Sequence, residues 1–144
     1  MPSISHLTFA ISSRDFSTVT LDVAYTVQRT DLERFLGDHG LGFEERIRII
    51  GDDPGEATDQ VMQTFPTQLI AFAPGELVAT RSRQITVPRS SLNEDPGGRS
   101  TIPGQSFPTT PNPDQLFARV EVAYVGLSTP PATAESPVQV ITVV

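Results

Sequence analysis

Apolar and polar residues alternate along most of this chain, with a period of two. In HLTFAIS, Leu7, Phe9 and Ile11 fall on one side and His6, Thr8 and Ala10 on the other. That is the spacing of a half-buried strand. STVTLDVAYTVQ repeats the pattern over a longer span: Val19, Leu21, Val23, Tyr25 and Val27 oppose Thr18, Thr20, Asp22, Thr26 and Gln28. Its β-branched content favours a strand as well. FEERIRII sets Phe43, Glu45, Ile47 and Ile49 on one face and Glu44, Arg46 and Arg48 on the other. Glu45 interrupts the apolar face, and it is expected at the strand's rim, where its carboxylate can stay hydrated. QLFARVEVAYVG turns Leu116, Ala118, Val120, Val122 and Tyr124 inward and Arg119 and Glu121 outward.

Other segments depart from this rhythm. In TDLERFLGDHGLG, Leu32, Phe35 and Leu36 have helical spacing, Thr30 or Asp31 can cap the start, and Gly37 or Gly40 can end it. One short helix near 31–37 is expected. QVMQTFPTQLIAFAPG is broken by Pro66, so two short strands or a kinked edge strand fit better than one central strand. ELVATRSRQITVP is a further strand. Its apolar register slips between Val78 and Ile85, and a bulge near Thr80–Arg83 would reconcile them. Residues 89–114 hold five prolines and three glycines, form a long loop without a regular element, and offer Leu92, Ile102 and Phe107 as anchors. LSTPPATAESP reads as a proline-rich connection. The last segment, VQVITVV, is apolar on both faces: Val138, Val140 and Val144 on one, Ile141 and Val143 on the other.

About seven strands, at most one helix and turn-rich connections define an all-β chain. The expected fold is an antiparallel β-sandwich, immunoglobulin-like, over a single domain spanning 1–144, with a jelly roll as the alternative. A length of 144 residues suits one domain with its own core.

Composition narrows the chemistry. The chain has no cysteine, which excludes disulfides, thiolate metal sites and cysteine nucleophiles. All ten basic residues are arginine, so lysine Schiff-base and P-loop chemistry are excluded too. A net charge of −7, with the arginines scattered, argues against a nucleic-acid surface. No stretch approaches the ~18 apolar residues of a membrane span. The N-terminus lacks the basic and apolar regions of a secretory signal, so a soluble chain made in the cytoplasm is expected, its final compartment left open.

Catalytic motifs are sparse. His6 lies on a polar strand face and His39 in a glycine-flanked loop, and no nucleophile elbow or zinc-binding HExxH occurs. The clearest chemical feature is a set of acidic loops. If successive strands run up and down, the turn at 13–16 and the loops at 51–60 and 89–114 emerge at one pole. That pole collects Asp15, Asp52, Asp53, Glu56, Asp59, Glu94, Asp95 and Asp114. Calcium takes six to eight oxygen ligands, and Asp52, Asp53, Asp59, Glu94, Asp95 and Asp114 are the candidates. The EF-hand spacing is absent, and arginines in the same loops can neutralise the acids. Asp53, Pro54 and Glu56 could also start a helix running to Phe65, although a turn followed by a strand suits an all-β chain better.

These observations favour a non-enzymatic structural or interaction module that self-assembles or binds another protein, with no cofactor. A calcium-dependent binding module comes second, and a small hydrolase using loop carboxylates third. The candidate interface strips are Glu44, Arg46 and Arg48; Ile102 and Phe107; and the terminal strand with Val138, Val140, Ile141, Val143 and Val144. That strand is either central and covered on both faces, or paired with a neighbouring subunit.

Overall fold

A computed structural model of the chain describes residues 2–13, 15, 17–51, 60–92, 113–126 and 130–142. In chain order the elements are β1 (Ser3–Ser13), β2 (Thr18–Gln28), α1 (Asp31–Asp38), β3 (Phe43–Gly51), β4 (Gln60–Thr64), β5 (Gln68–Ile70) and β6 (Val78–Pro88). A 3-10 turn at Arg89–Leu92 follows, then β7 (Pro113–Tyr124), β8 (Ala132–Glu135) and β9 (Gln139–Thr142). Two antiparallel sheets face each other. The first runs β1-β2-β6. In the second, β3 and β7 form the centre, β4 and β5 share the outer edge of β3, and β8 and β9 share the outer edge of β7. This is the all-β sandwich that the alternation implies.

The core lies between the sheets and is built from the residues the period of two selects. Val19, Leu21, Val23, Tyr25 and Val27 of β2 meet Phe43, Ile47 and Ile49 of β3 and Leu116, Ala118, Val120 and Val122 of β7. Each alternate β2 side chain is buried along the whole strand. Phe65 and Leu92 close the core at its flanks, so Leu92 does anchor the start of the long loop.

Several expectations need correction. Strand β6 carries no bulge: its register with β2 is unbroken from Thr18↔Pro88 to Gln28↔Val78. Val78 simply faces outward, while Ala79, Arg81, Arg83, Ile85 and Val87 face the second sheet. The irregularities lie elsewhere. One falls between Ser5 and Thr8 of β1, where His6 has a φ of 53° and lets Ile4 and Leu7 both reach the core despite their odd separation. The other lies opposite Ile49 and Ile50, where Met62 of β4 is the extra residue. Residues 60–64 are extended, so a helix running to Phe65 is ruled out. The connection at 127–137 contains β8, whose ladder on β7 outweighs the weak strand propensity of Ala-Thr-Ala-Glu. The loop at 89–114 opens with a helical turn and closes inside β7.

The topology defines two poles. At one, Thr18 pairs with Pro88 and Gly51 with Gln60 and Leu116, and Gln63 Nε2 donates to Ser91 Oγ at 3.0 Å across the sandwich. At the other, Gln28 meets Val78 and Phe43 meets Ile70 and Tyr124, and α1 joins β2 to β3. Among the described residues no helix is long and apolar enough to cross a membrane.

Candidate functional site

The α1 pole is built from a short sequence with strong local signals. Thr30 caps the helix: its Oγ1 accepts from the Glu33 N–H at 3.2 Å, and the Glu33 carboxylate accepts from the Thr30 N–H at 2.8 Å. This reciprocal box satisfies two otherwise orphaned donors. The second carboxylate oxygen of Glu33 accepts from the Tyr124 hydroxyl at 2.5 Å, which ties the helix to the end of β7. Burial pushes the Glu33 carboxyl up, but the hydrogen bonds from Tyr124 and Thr30 outweigh it and hold the group below its ordinary value. For the Tyr124 phenol, burial and the Glu33 charge act together and raise it to about 12.

Glu33 is thus the buried residue of α1, and the helix is inverted relative to a usual surface helix. Leu32, Phe35 and Leu36 point outward and are 65%, 57% and 41% exposed. The His39 ring extends the stripe, 4.5 Å from the Phe35 ring, with its Nδ1 2.8 Å from the Phe35 carbonyl oxygen.

Behind the helix lies Arg29, whose side chain is 3% exposed. Its Nε donates to the Glu76 carbonyl at 2.8 Å, and its guanidinium stacks 4.4 Å from the centre of the Phe72 ring. Gly37 makes room for it, because a Cβ there would collide with Arg29 Nη1. Nη2 has no hydrogen-bond partner and lies 3.7 Å from Asp38 Oδ1. A cleft of about 530 Å³ opens here, with Arg29, Phe43 and Ile70 buried in its wall and Asp38 and Pro74 exposed at its margin.

A second polar cluster joins the sheets. Glu45 is not at a rim: it is 1% exposed, between the sheets. The Tyr25 hydroxyl and Arg81 Nε donate to Oε1, and Arg83 Nη1 donates to Oε2. The arginines continue outward, Arg81 to Gln68 Oε1 at 3.2 Å and Arg83 to the Pro66 carbonyl at 3.1 Å. Burial, together with the neighbouring Glu45 carboxylate, pushes the Tyr25 phenol well above its ordinary value. Burial alone would lower Arg81, but Glu45 reverses the sign and raises it. The odd register of β6 is the sequence trace of this cluster, since arginine occupies inward positions that aliphatic residues fill in the other strands.

The other sequence candidates are dispersed. Glu44, Arg46 and Arg48 lie on the outer face of the second sheet and are charge-paired within the chain: Arg46 with Glu44, Arg48 with Glu121 at 3.3 Å, beside Arg119 with Glu135 at 2.9 Å. Among the described residues strand β9 pairs with β7 alone, from Pro113↔Thr142 to Leu116↔Gln139. Val138, just before it, is 42% exposed, and Val140 and Ile141 lie in it. Asp114 pairs with Ile141 through the backbone. Asp52, Asp53, Glu56, Asp59, Glu94, Asp95, Ile102, Phe107, Val143 and Val144 lie outside the described residues. Asp15 is described: its Oδ1 accepts from the Ser17 and Thr18 N–H groups, both at 2.8 Å, and so shapes its own turn. Among the described residues no group of three His, Cys, Asp or Glu side chains is placed to hold a metal ion.

No protein-family model and no curated protein matches the chain. Among solved structures, β-glucosidase 3B from Thermotoga neapolitana in complex with glucose is similar over 99% of this chain, at 14% identity and a TM-score of 0.38. The same enzyme in complex with α-D-glucose gives 15% identity and a TM-score of 0.38. The chain spans 17% of that enzyme's length in each case.

Proposed function

We propose that this chain is a non-catalytic interaction module that assembles with further copies of itself through the outward face of α1. The inversion of the helix carries the reading. An amphipathic helix on a domain surface normally buries its apolar stripe. Here Glu33, held by Tyr124 and Thr30, occupies the inward side, and Leu32, Phe35 and Leu36 are left in water. Clustered exposed apolar side chains mark interaction sites. The spacing i, i+3, i+4, continued by His39 at i+7, is a seam that a like helix can fill, and an isologous pairing makes one patch complementary to itself. Val125, 44% exposed and bonded through its N–H to the Gly42 carbonyl, is a further exposed apolar side chain at the same pole.

Two observations support the wider reading. The buried acids are engaged in structure rather than poised for proton transfer: Glu45 by two arginines and a tyrosine, Glu33 by Tyr124 and the helix cap. The outer charged strip is paired within the chain, which leaves the apolar helix face as the stronger docking surface.

A two-turn helix buries less than the roughly 1,200 Å² of a stable interface, so the association is concentration-dependent. Sedimentation velocity is expected to show a monomer–dimer equilibrium that shifts toward dimer up to roughly 500 µM. Phe35→Glu and Leu32→Glu should each restore the monomer. As both side chains are exposed, the unfolding free energy should move by no more than about 0.5 kcal/mol. A monomer throughout, or a dimer indifferent to both substitutions, overturns the proposal.

A further inference from the structure

The geometry points to a binding site for a small organic carboxylate in the cleft beneath the C-terminal end of α1. A buried guanidinium is costly unless its donors are satisfied, and Arg29 is only partly satisfied. Its Nε is taken by the Glu76 carbonyl and its face by Phe72, while Nη2 is buried without a hydrogen bond. The cleft that Arg29 lines measures about 530 Å³, within the size range of small-molecule sites. Apolar side chains supply much of the remaining wall: Leu41, Phe43, Ile70, Phe72 and Pro74. A fixed cation in a cleft of mixed polar and apolar lining selects a ligand with one negative group and a small apolar body.

The charge count favours a carboxylate over a phosphate. With Nε taken, only the two Nη groups remain for a ligand, enough for one carboxylate, whereas a phosphate dianion needs more donors. Asp38 at the margin penalises any second negative charge. Its Oδ1, 3.7 Å from Nη2, is too far for a hydrogen bond, and the residue is exposed enough to swing away. Asp38 therefore competes with the ligand for Arg29. Gly37 contributes by omission, since any side chain there would push the guanidinium out of place.

The test is a titration followed by amide correlation spectra, with benzoate and 4-methylpentanoate as probes and benzamide and inorganic phosphate as controls. At least one carboxylate should shift the Gly37, Leu41 and Phe72 amides saturably, and neither control should do so. Asp38→Asn should tighten binding several-fold by removing the competitor. Arg29→Lys should weaken it at least ten-fold, because a lysine cannot reproduce the planar fork stacked on Phe72. Phe35→Glu should leave the affinity unchanged, which separates this site from self-association through the outer helix face. No saturable shift with either carboxylate, equal binding of benzamide, displacement by phosphate, or an affinity indifferent to Asp38→Asn each overturns the proposal. If Arg29→Lys fails to fold, the carboxylate–amide comparison and Asp38→Asn decide the matter.

Discussion

Glu45 carries a full carboxylate into the space between the sheets, where Tyr25, Arg81 and Arg83 meet it. Removing one partner from such a cluster leaves charge buried without its counter-charge, whereas replacing the whole cluster by apolar side chains removes the desolvation cost together with the attraction. Glu45→Leu alone should therefore cost roughly 3–5 kcal/mol in urea unfolding. The triple variant with Arg81→Leu and Arg83→Met should recover most of that loss. A triple variant less stable than Glu45→Leu would mean that the arginines contribute through their outward bonds to Gln68 and Pro66 instead. At this scale the sequence was half legible. Glu45 stood out as an acid on an apolar face, but a lone strand cannot show that two arginines, 36 and 38 residues further on, face it from the other sheet. Burial became tolerable through those partners, so an expectation based on Glu45 alone sent it to the rim.

Helix α1 is an element whose existence was legible and whose orientation was not. Thr30, Glu33 and the Leu32–Phe35–Leu36 spacing are local features, and they place a helix close to where it lies, Asp31–Asp38. Which face turns inward depends on Tyr124, 91 residues away, which offers Glu33 a hydrogen bond that no aliphatic residue could accept. Two measurements follow. Thr30→Ala should cost about 1 kcal/mol through loss of the cap. In a double-mutant cycle, Glu33→Gln and Tyr124→Phe should couple by roughly 1.5–3 kcal/mol, the range for a hydrogen bond to a charged group. Additive effects would separate the helix from β7 energetically. The same contrast holds for the strands. Strands β2 and β7 are central, and their period-two burial is written in their own residues. Strand β8, an edge of alanine, threonine and glutamate, exists through its ladder with Arg119–Val122, and only the partner reveals it. Strand β6 is legible in its alternation, but its inward arginines interrupt the apolar register as a bulge would.

For the molecule as a whole, the titrating groups at its two poles set a window of stability. The Ser17 and Thr18 N–H and hydroxyl groups hold the Asp15 carboxyl down at about 2, and Glu33 also lies below its ordinary value. Both are acids with a depressed folded-state pKa. Their stabilisation is complete above the ordinary carboxylate range and is lost as pH falls through the folded values. The tyrosines have the opposite sign. The Tyr124 phenol is raised to about 12, chiefly by burial, and Tyr25 is raised further. A raised folded value stabilises below the unfolded pKa near 10, and that stabilisation is lost as pH rises toward the folded value. Denaturant midpoints should therefore be nearly flat from roughly pH 5 to 9 and fall on either side. Asp15→Asn should make the acid limb shallower, and Tyr124→Phe the alkaline limb. The chain has two tyrosines and no tryptophan, so phenolate absorbance reports on these groups alone. Folded protein should show almost no phenolate at about pH 10, where free tyrosine is half ionised. About a quarter of the full signal at that pH, with the sheets still intact by circular dichroism, would mean that one phenol has lost its carboxylate partner, Glu33 at the helix pole or Glu45 between the sheets, and about half that both have.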